Sequence, residues 1–351
     1  MTLQTPRKRF LWVWGLWLIA FYGVWAFLIT ADGALQAAIA HWPMALAMAV
    51  GSYAAGSTPM GGGTVGFPVL VLLFDMPATL GRDFSFAVQS IGMVSAAIFI
   101  MARRQPLAWA MLKGALAGGL IGTPIGIIFF APLVPELWIK VIFAVLWGSF
   151  GVLHLYRINE ISGNVGMTEF DEHWDHKTGF VLGLGASLLA VSVTGVGIDM
   201  VLYAALVLLC RADLKIAIPT SVVIMAAASV YGVLIKSITH SWQPGVYENW
   251  LAAAPVVALG APLGVFIVER IGRKPILLIV AALCVGQFIW TCFAERQALG
   301  FMGIALAILA LCFCLWVFER LRRWGRSLVL RVRKQERARR LPVGEGSAAA
   351  E

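Results

Sequence analysis

The sequence predicts an all-α polytopic membrane protein built from two inverted repeats, each a broken or re-entrant helix hairpin plus three transmembrane helices, with extra N- and C-terminal helices. Three observations predict it. First, of 351 residues 60% are hydrophobic and 13% charged, with mean hydropathy +0.85, whereas roughly a quarter of a soluble domain is charged. Second, two apolar segments are interrupted midway. Gly51 to Phe74 is broken by Thr58, Pro59, Gly61, Gly62 and Gly63, and Phe180 to Leu209 is broken by Thr194, Gly195, Val196, Gly197, Ile198 and Asp199. In the first, three adjacent glycines at about 1 kcal/mol each and a proline at about 3 kcal/mol are too costly for one continuous helix. Third, Gly122-Thr123-Pro124-Ile125-Gly126 returns 138 residues later as Gly260-Ala261-Pro262-Leu263-Gly264, with a weaker echo of Gln89-Ser90 in Thr220-Ser221.

The net charge of +9 does not mark a nucleic-acid surface, because ten of the 27 Lys and Arg residues lie between Arg320 and Arg340. Nucleic acid is therefore not an expected partner; the lipid bilayer is. Cys210, Cys284, Cys292, Cys312 and Cys314 fall in or beside apolar runs without metal-ligand spacing, which predicts buried thiols. No metal or cofactor is expected, and nothing in the sequence sets an oligomeric state.

Residues 1–43 hold the first helix and a loop. Arg7, Lys8 and Arg9 precede the 20 apolar residues from Phe10 to Ile29, a run longer than the roughly 7 to 15 residues of a secretory core, so the expectation is an uncleaved span with a cytoplasmic N-terminus. The first repeat, 44–155, opens with Met44 to Phe74, about 46 Å long as one helix against a hydrocarbon core of about 30 Å. Half-helices Met44 to Ser57 and Val65 to Phe74 fit better. Spans follow at Phe84 to Met101, Leu107 to Phe130 and Leu137 to Leu155. A hydrophilic cytoplasmic loop, 156–178, carries Glu160, Glu169, Asp171, Glu172 and Asp175. The second repeat, 179–295, holds the second interrupted segment and spans at Ile216 to Ile235, Asn249 to Val268 and Pro275 to Phe293. A last span occupies 296–319. The tail, 320–351, alternates arginines with Leu321, Trp324, Leu328, Val329 and Leu330, the pattern of an amphipathic helix on an anionic leaflet, and Leu341 to Glu351 read as disordered.

Charge chooses between crossing and re-entry, because Lys and Arg in short loops mark the cytoplasmic side. Full crossing by both interrupted segments puts Arg103, Arg104, Arg157 and Lys177 outside. Re-entry by both gathers them with Arg211, Lys215, Arg270, Arg273, Lys274 and the tail, leaving mainly Arg82, Lys236 and Arg296 opposite. The count favours eight crossings and two hairpins opening from opposite faces, with both termini cytoplasmic in a cell (inner) membrane.

The breaks carry the chemistry. A helix N-terminus presents unpaired N–H groups and about +0.5 charge, an anion site, and broken helices at matching places in two halves point to a transporter's binding site. Gly61, Gly62, Gly63, Gly195 and Gly197 let a ligand approach bare backbone. Ser57, Thr58, Thr64, Ser192 and Thr194 add uncharged donors, and Gln89, Ser90, Thr220 and Ser221 stand on the following spans. Together these suit a small anion. Small residues also let membrane helices pack closely, so packing is the competing explanation of the glycines. Asp199, a carboxylate within a span, is the candidate for coupling to a proton or Na⁺, with a structural acceptor role as the alternative. Arg82 and Asp83 flank the loop after the first hairpin, where Arg82 either gathers anions at the mouth or forms a local ion pair with Asp83. His154 carries no expected role.

Gly61-Gly62-Gly63 followed by Phe67-Pro68-Val69-Leu70, the partner break Gly195 to Asp199, Thr220-Ser221 and the doubled Gly-x-Pro-x-Gly together resemble the sulfite exporter (TauE/SafE) family over roughly residues 44 to 295. The second break departs from the family's run of glycines at Val196 and Asp199. The resemblance implies export of sulfite or a sulfur-containing organic anion such as sulfoacetate. An anion channel would use the same parts, and a membrane sensor is a further alternative. An intramembrane enzyme is opposed by the lack of a second midspan aspartate or a midspan His.

Overall fold

The computed structural model describes residues 10–31, 33–168 and 170–340, with side chains described to residue 331. Arg7 to Arg9, Asp32, Glu169 and the segment from Leu341 to Glu351 lie outside the described residues, as do the side chains of the tail beyond Arg331.

The described chain is all helical. In order come α1 (Leu11–Ala31), α2 (Leu35–Ala40), α3 (Trp42–Ser57), α4 (Gly63–Leu73), α5 (Ala78–Ala102), α6 (Trp109–Leu133), α7 (Glu136–Ser162) and α8 (Glu172–Thr194). Then follow α9 (Ile198–Leu208), α10 (Leu214–Ile238), α11 (Val246–Ile271), α12 (Arg273–Ala294) and α13 (Arg296–Arg340). Nine of the described helices are long and apolar enough to cross a membrane. The sequence pattern predicted eight; the ninth is α8, which starts at Glu172 because two polar turns precede its apolar stretch.

Ion pairs and loop contacts sort the helix ends onto two faces. One face joins Arg103 to Glu269 at 2.8 Å, Lys274 to Asn159 at 2.6 Å, Arg157 to Glu319 at 3.5 Å, and Arg211 to Glu160. On the same face the loop before α8 meets the loop after α9: Thr168 N–H donates to Cys210 O at 2.9 Å and Asp213 N–H to Gly166 O at 2.6 Å. So α8 and α9 begin and end on this basic face. The opposite face joins Thr79 to Glu136 at 2.6 Å, Lys140 to Glu295 at 2.6 Å, and Asp83 to Lys236 at 3.0 Å. There α3 starts and α4 ends. The α3/α4 unit folds back on itself, since a Cβ on Gly51 would lie 2.9 Å from Val65 Cβ and one on Gly66 3.0 Å from Met48 Sδ.

The two Gly-x-Pro-x-Gly motifs are saddles for the hairpin arms. On α6, Gly114, Gly118, Gly122 and Gly126 face α8, where added Cβ atoms would meet His176 O, Phe180 O, Leu184 O and Ser192 Cβ within 2.6 Å. On α11, Gly260 and Gly264 face Ser52 and Tyr53 of α3 in the same way. This four-residue spacing of small side chains lets backbones touch where no hydrophobic drive exists between helices in lipid. Each half thus lays one arm of its hairpin on a helix of the other half.

The prolines of α11 strand carbonyls four residues back, and neighbours satisfy them. Trp25 Nε1 donates to Leu251 O at 3.0 Å, opposite Pro255, and Ser95 Oγ donates to Ala258 O at 2.6 Å, opposite Pro262. Trp14 Nε1 in turn donates to Ser95 Oγ at 2.9 Å, so the same bonds that complete α11 also fasten α1. Unmet carbonyls in lipid cost several kcal/mol each, which makes these aromatic and hydroxyl donors structural.

Three boundaries differ from the sequence reading. Helix α5 begins at Ala78, so Arg82 and Asp83 lie inside a helix and not in a loop. The hydrophilic stretch 156–178 is mostly helix, with only residues 163–171 between α7 and α8. The tail continues the last span as one helix past Glu319, and its turn at Gly325 packs on the backbone of Leu208 and Leu209, with Trp324 edge-on to Trp174. Those apolar side chains therefore meet protein at this turn and not lipid alone.

Candidate functional site

Both interruptions are present in the structure, and the tips of the two hairpins meet. After α3, Thr58 is extended (φ −132°, ψ 167°) and the helix resumes at Gly63. After α8, Gly195 and Gly197 adopt φ of +78° and +118°, left-handed values that only glycine adopts without strain. Gly195 also lies against Arg82 O, where a Cβ would approach to 2.5 Å. A π-turn, Ser187–Val191, precedes this break and another, Val69–Leu73, follows the first; such turns concentrate at functional sites.

Asp199 sits at the meeting point, fully buried. Its Oδ2 accepts the Gly61 N–H at 2.7 Å, and its Oδ1 accepts Gly197 N–H at 3.1 Å and Met200 N–H at 2.9 Å. The carboxylate thus occupies bare amides of both breaks, the first of α4's approach and the N-terminus of α9. Charge-assisted bonds of this kind are roughly twice as strong as neutral ones. The arrangement holds an anion by backbone alone, and here the anion belongs to the protein.

Gln89 completes the contact. Its Nε2 donates to Ser85 O at 2.9 Å and Gly195 O at 3.0 Å, which fixes the amide orientation and turns Oε1 toward Gly61 Cα. That Oε1 is buried without a hydrogen-bond partner. Thr64 Oγ1, in the first turn of α4, is likewise buried and unpartnered. Unsatisfied groups of this kind cost about 1–3 kcal/mol each, so both are costly polar positions near the first break.

The remaining predicted residues divide. Gly62 and Gly63 are at the first tip, with Gly63 against Ser85 and Val196. Thr194 Oγ1 donates to Ala190 O at 2.9 Å and braces the second break through Val196. Ser57 and Thr58 are buried at the first break, but their hydroxyls donate back to Tyr53 O and Ala54 O, as Ser192 does to Leu188 O. Ser90 is half-buried and bonds Ala87 O. Thr220 and Ser221 stand apart from the contacts described above: Thr220 Oγ1 donates to Ile216 O and accepts Ala108 N–H from the loop before α6, and Ser221 Oγ donates to Ile218 O.

The space at the breaks is closed. A void of about 10 Å³ lies beside Gly62 and Gln89, walled by Met48, Met93 and Val257, room for about one water.

Two pairings have no counterpart in the sequence pattern. His154 on α7 is buried, with Nε2 3.0 Å from the Tyr203 hydroxyl of α9. It ends an aromatic file in which Phe67 of α4 stacks on Phe143, followed by Trp147, Phe150 and His154. Asp83 pairs with Lys236 across the halves; neither has a local sequence signal for the other.

Residues 44–291 match the profile of a family described as sulfite exporter TauE/SafE. No curated protein and no solved structure matched the chain.

Proposed function

The chain belongs to the sulfite exporter TauE/SafE family, and from that premise we propose that it is a secondary transporter exporting sulfite or a sulfur-containing organic anion such as sulfoacetate. The two halves act as inverted repeats that rock about the meeting point of the breaks. With nine apolar helices of spanning length among the described residues, the protein is a multi-pass membrane protein. We place the basic face in the cytoplasm, because it collects Arg103, Arg157, Arg211, Arg270 and Lys274 and positive charge in short loops marks that side; both termini then lie there.

The observation that carries the reading is the carboxylate of Asp199 held by Gly61, Gly197 and Met200 N–H groups. A set of amides that holds one oxyanion suits another. In our reading Asp199 and the substrate compete for those donors. A proton or Na⁺ on Asp199, shared with the unpartnered Oε1 of Gln89, releases the amides to the substrate, which ties anion binding to cation binding. The closed void is the occluded arrangement, and the substrate enters as the halves separate.

Flux in proteoliposomes tests this. Sulfite, sulfate, thiosulfate, sulfoacetate and simple carboxylates are offered under an imposed pH or Na⁺ gradient. Saturable flux of a sulfur oxyanion that follows one gradient is expected. Flux of none of them under either gradient overturns the assignment, and non-saturable flux makes the protein a channel.

A further inference from the structure

One turn in from the face opposite the basic one, three charged side chains are buried together. Asp83 is fully buried, with Arg82 and Lys236 side chains 7% and 4% exposed. Arg82 Nε donates to Asp83 Oδ1 at 2.8 Å, and Lys236 Nζ to Oδ2 at 3.0 Å. The loop after α10 closes over them, with Gln243 N–H on Asp83 Oδ2 at 3.2 Å and Ser241 O accepting Lys236 Nζ at 2.8 Å. Arg82 and Asp83 come from α5 and Lys236 from α10, so the cluster bridges the two halves.

Within the cluster two cations share one carboxylate. Burying an ion costs several kcal/mol even after relaxation, and apolar residues often serve stability better. Lys236 also ties the loop after α10 through Ser241 O, but that contact needs only one of its three N–H donors. The geometry instead matches oxyanion binding: one carboxylate, each oxygen held by a different cation, occupies the position a tetrahedral or pyramidal oxyanion takes between a guanidinium and an ammonium. The cluster also touches the second break, since Arg82 O packs on Gly195.

We propose that Arg82 and Lys236 form a second binding station for the transported oxyanion, at the face opposite the basic one, in which the Asp83 carboxylate is the resident competitor. An anion leaving the breaks is taken by the two cations, and Asp83 displaces it toward that face. The station binds weakly by construction, which favours release. Which oxyanion is carried rests on the transport reading above; the presence of the station does not.

The test is thermal stability of the purified full chain in detergent, titrated with sodium sulfate or sulfite against chloride at constant ionic strength. The variant Asp83→Asn removes the competitor and leaves two cations facing one another. Its half-stabilising sulfate concentration is expected to fall about tenfold below that of the unaltered protein, the worth of one charge-assisted hydrogen bond. The double variant Asp83→Asn with Lys236→Gln is expected to lose the gain. Where Asp83→Asn cannot be purified without sulfate but can with it, that rescue supports the station; Lys236→Gln alone then serves, with a weaker sulfate response expected. Equal responses in the unaltered protein, Asp83→Asn and Lys236→Gln overturn the proposal. Because the amides at the breaks are the same in all these proteins, and no flux is measured, the result is independent of whether the transport assignment holds.

Discussion

The Gly61 amide donates to Asp199 Oδ2 at 2.7 Å although 138 residues separate them. Through this bond each interrupted segment completes the other: the first supplies a bare N–H, the second a buried carboxylate. The second break is also tied within itself, by Gly197 N–H and Met200 N–H on Asp199 Oδ1 and by Thr194 on Val196.

Replacing Asp199 with Asn turns one acceptor into a donor facing Gly61 N–H or the pair Gly197 and Met200 N–H. Opposed donors in a dry site cost about 1–3 kcal/mol. Flux of the transported anion is expected to fall between about fivefold and about a hundredfold, as that energy implies, and what remains to lose its response to an imposed pH or Na⁺ gradient. Proteoliposomes under graded gradients measure both; an unchanged response removes Asp199 from coupling.

Gly61→Ala places a Cβ 1.7 Å from Gln89 Oε1 and 3.3 Å from Asp199 Oδ2. Gln89 must swing away and abandon Ser85 O and Gly195 O, so a loss of about 1–3 kcal/mol is expected, read as a lower Tm. Adding Gln89→Ala makes room. The double variant should therefore be less destabilised than the two single losses combined, a coupling that thermal denaturation reports.

Gly264→Val drives a Cβ to 2.3 Å from Tyr53 O, a backbone atom that cannot rotate aside. Gly286→Ala meets nothing within 4 Å. The first is expected to prevent folding into a monodisperse protein and the second to leave Tm within about 0.5 kcal/mol equivalent, as judged by size-exclusion profile and melting. Equal tolerance of both would show that α3 and α11 do not touch there.

Tyr203→Phe removes the hydroxyl bonded to His154 Nε2 at 3.0 Å while keeping the ring in the file with Phe150. One net hydrogen bond is worth about 1 kcal/mol. A small drop in Tm with the KM of the transported anion unchanged is expected; a changed KM would bring this pair into the transport cycle.

The two-face assignment is checked by labelling. In a protein freed of its five native cysteines, Arg104→Cys on the basic face and His240→Cys on the opposite one are both exposed positions. An impermeant maleimide applied to intact cells is expected to reach position 240 and not 104. Labelling at 104 would reverse the orientation.

Much of this was legible because helix costs are local. Glycines and proline raise the energy of helix wherever they stand, so the break at Pro59 to Gly63 and the weaker one at Gly195 and Gly197 were visible, as was the oddity of a carboxylate at Asp199. The doubled Gly-x-Pro-x-Gly was visible as a repeat, but its use was not: its glycines receive the arms α8 and α3. Thr220 and Ser221 matched Gln89 and Ser90 in rank order only; their offset of 131 residues against 138 for the glycine motif was the signal that they sit closer to their helix start, beside Ala108. In the sequence Arg82 and Asp83 read as the edge of a loop because charge lowers hydropathy, whereas paired burial against Lys236 lets a helix carry them.

By itself, then, the sequence determined a polytopic helical membrane protein, where its helices must stop, and which residues are anomalous there, since each of those follows from the energy of a residue and its immediate neighbours. The tertiary structure decided the pairings: that Gly61 meets Asp199, that Gln89 meets Gly195, that Asp83 holds Lys236. Those depend on how helices stack through many small van der Waals contacts, a sum over the whole bundle that no stretch of chain contains.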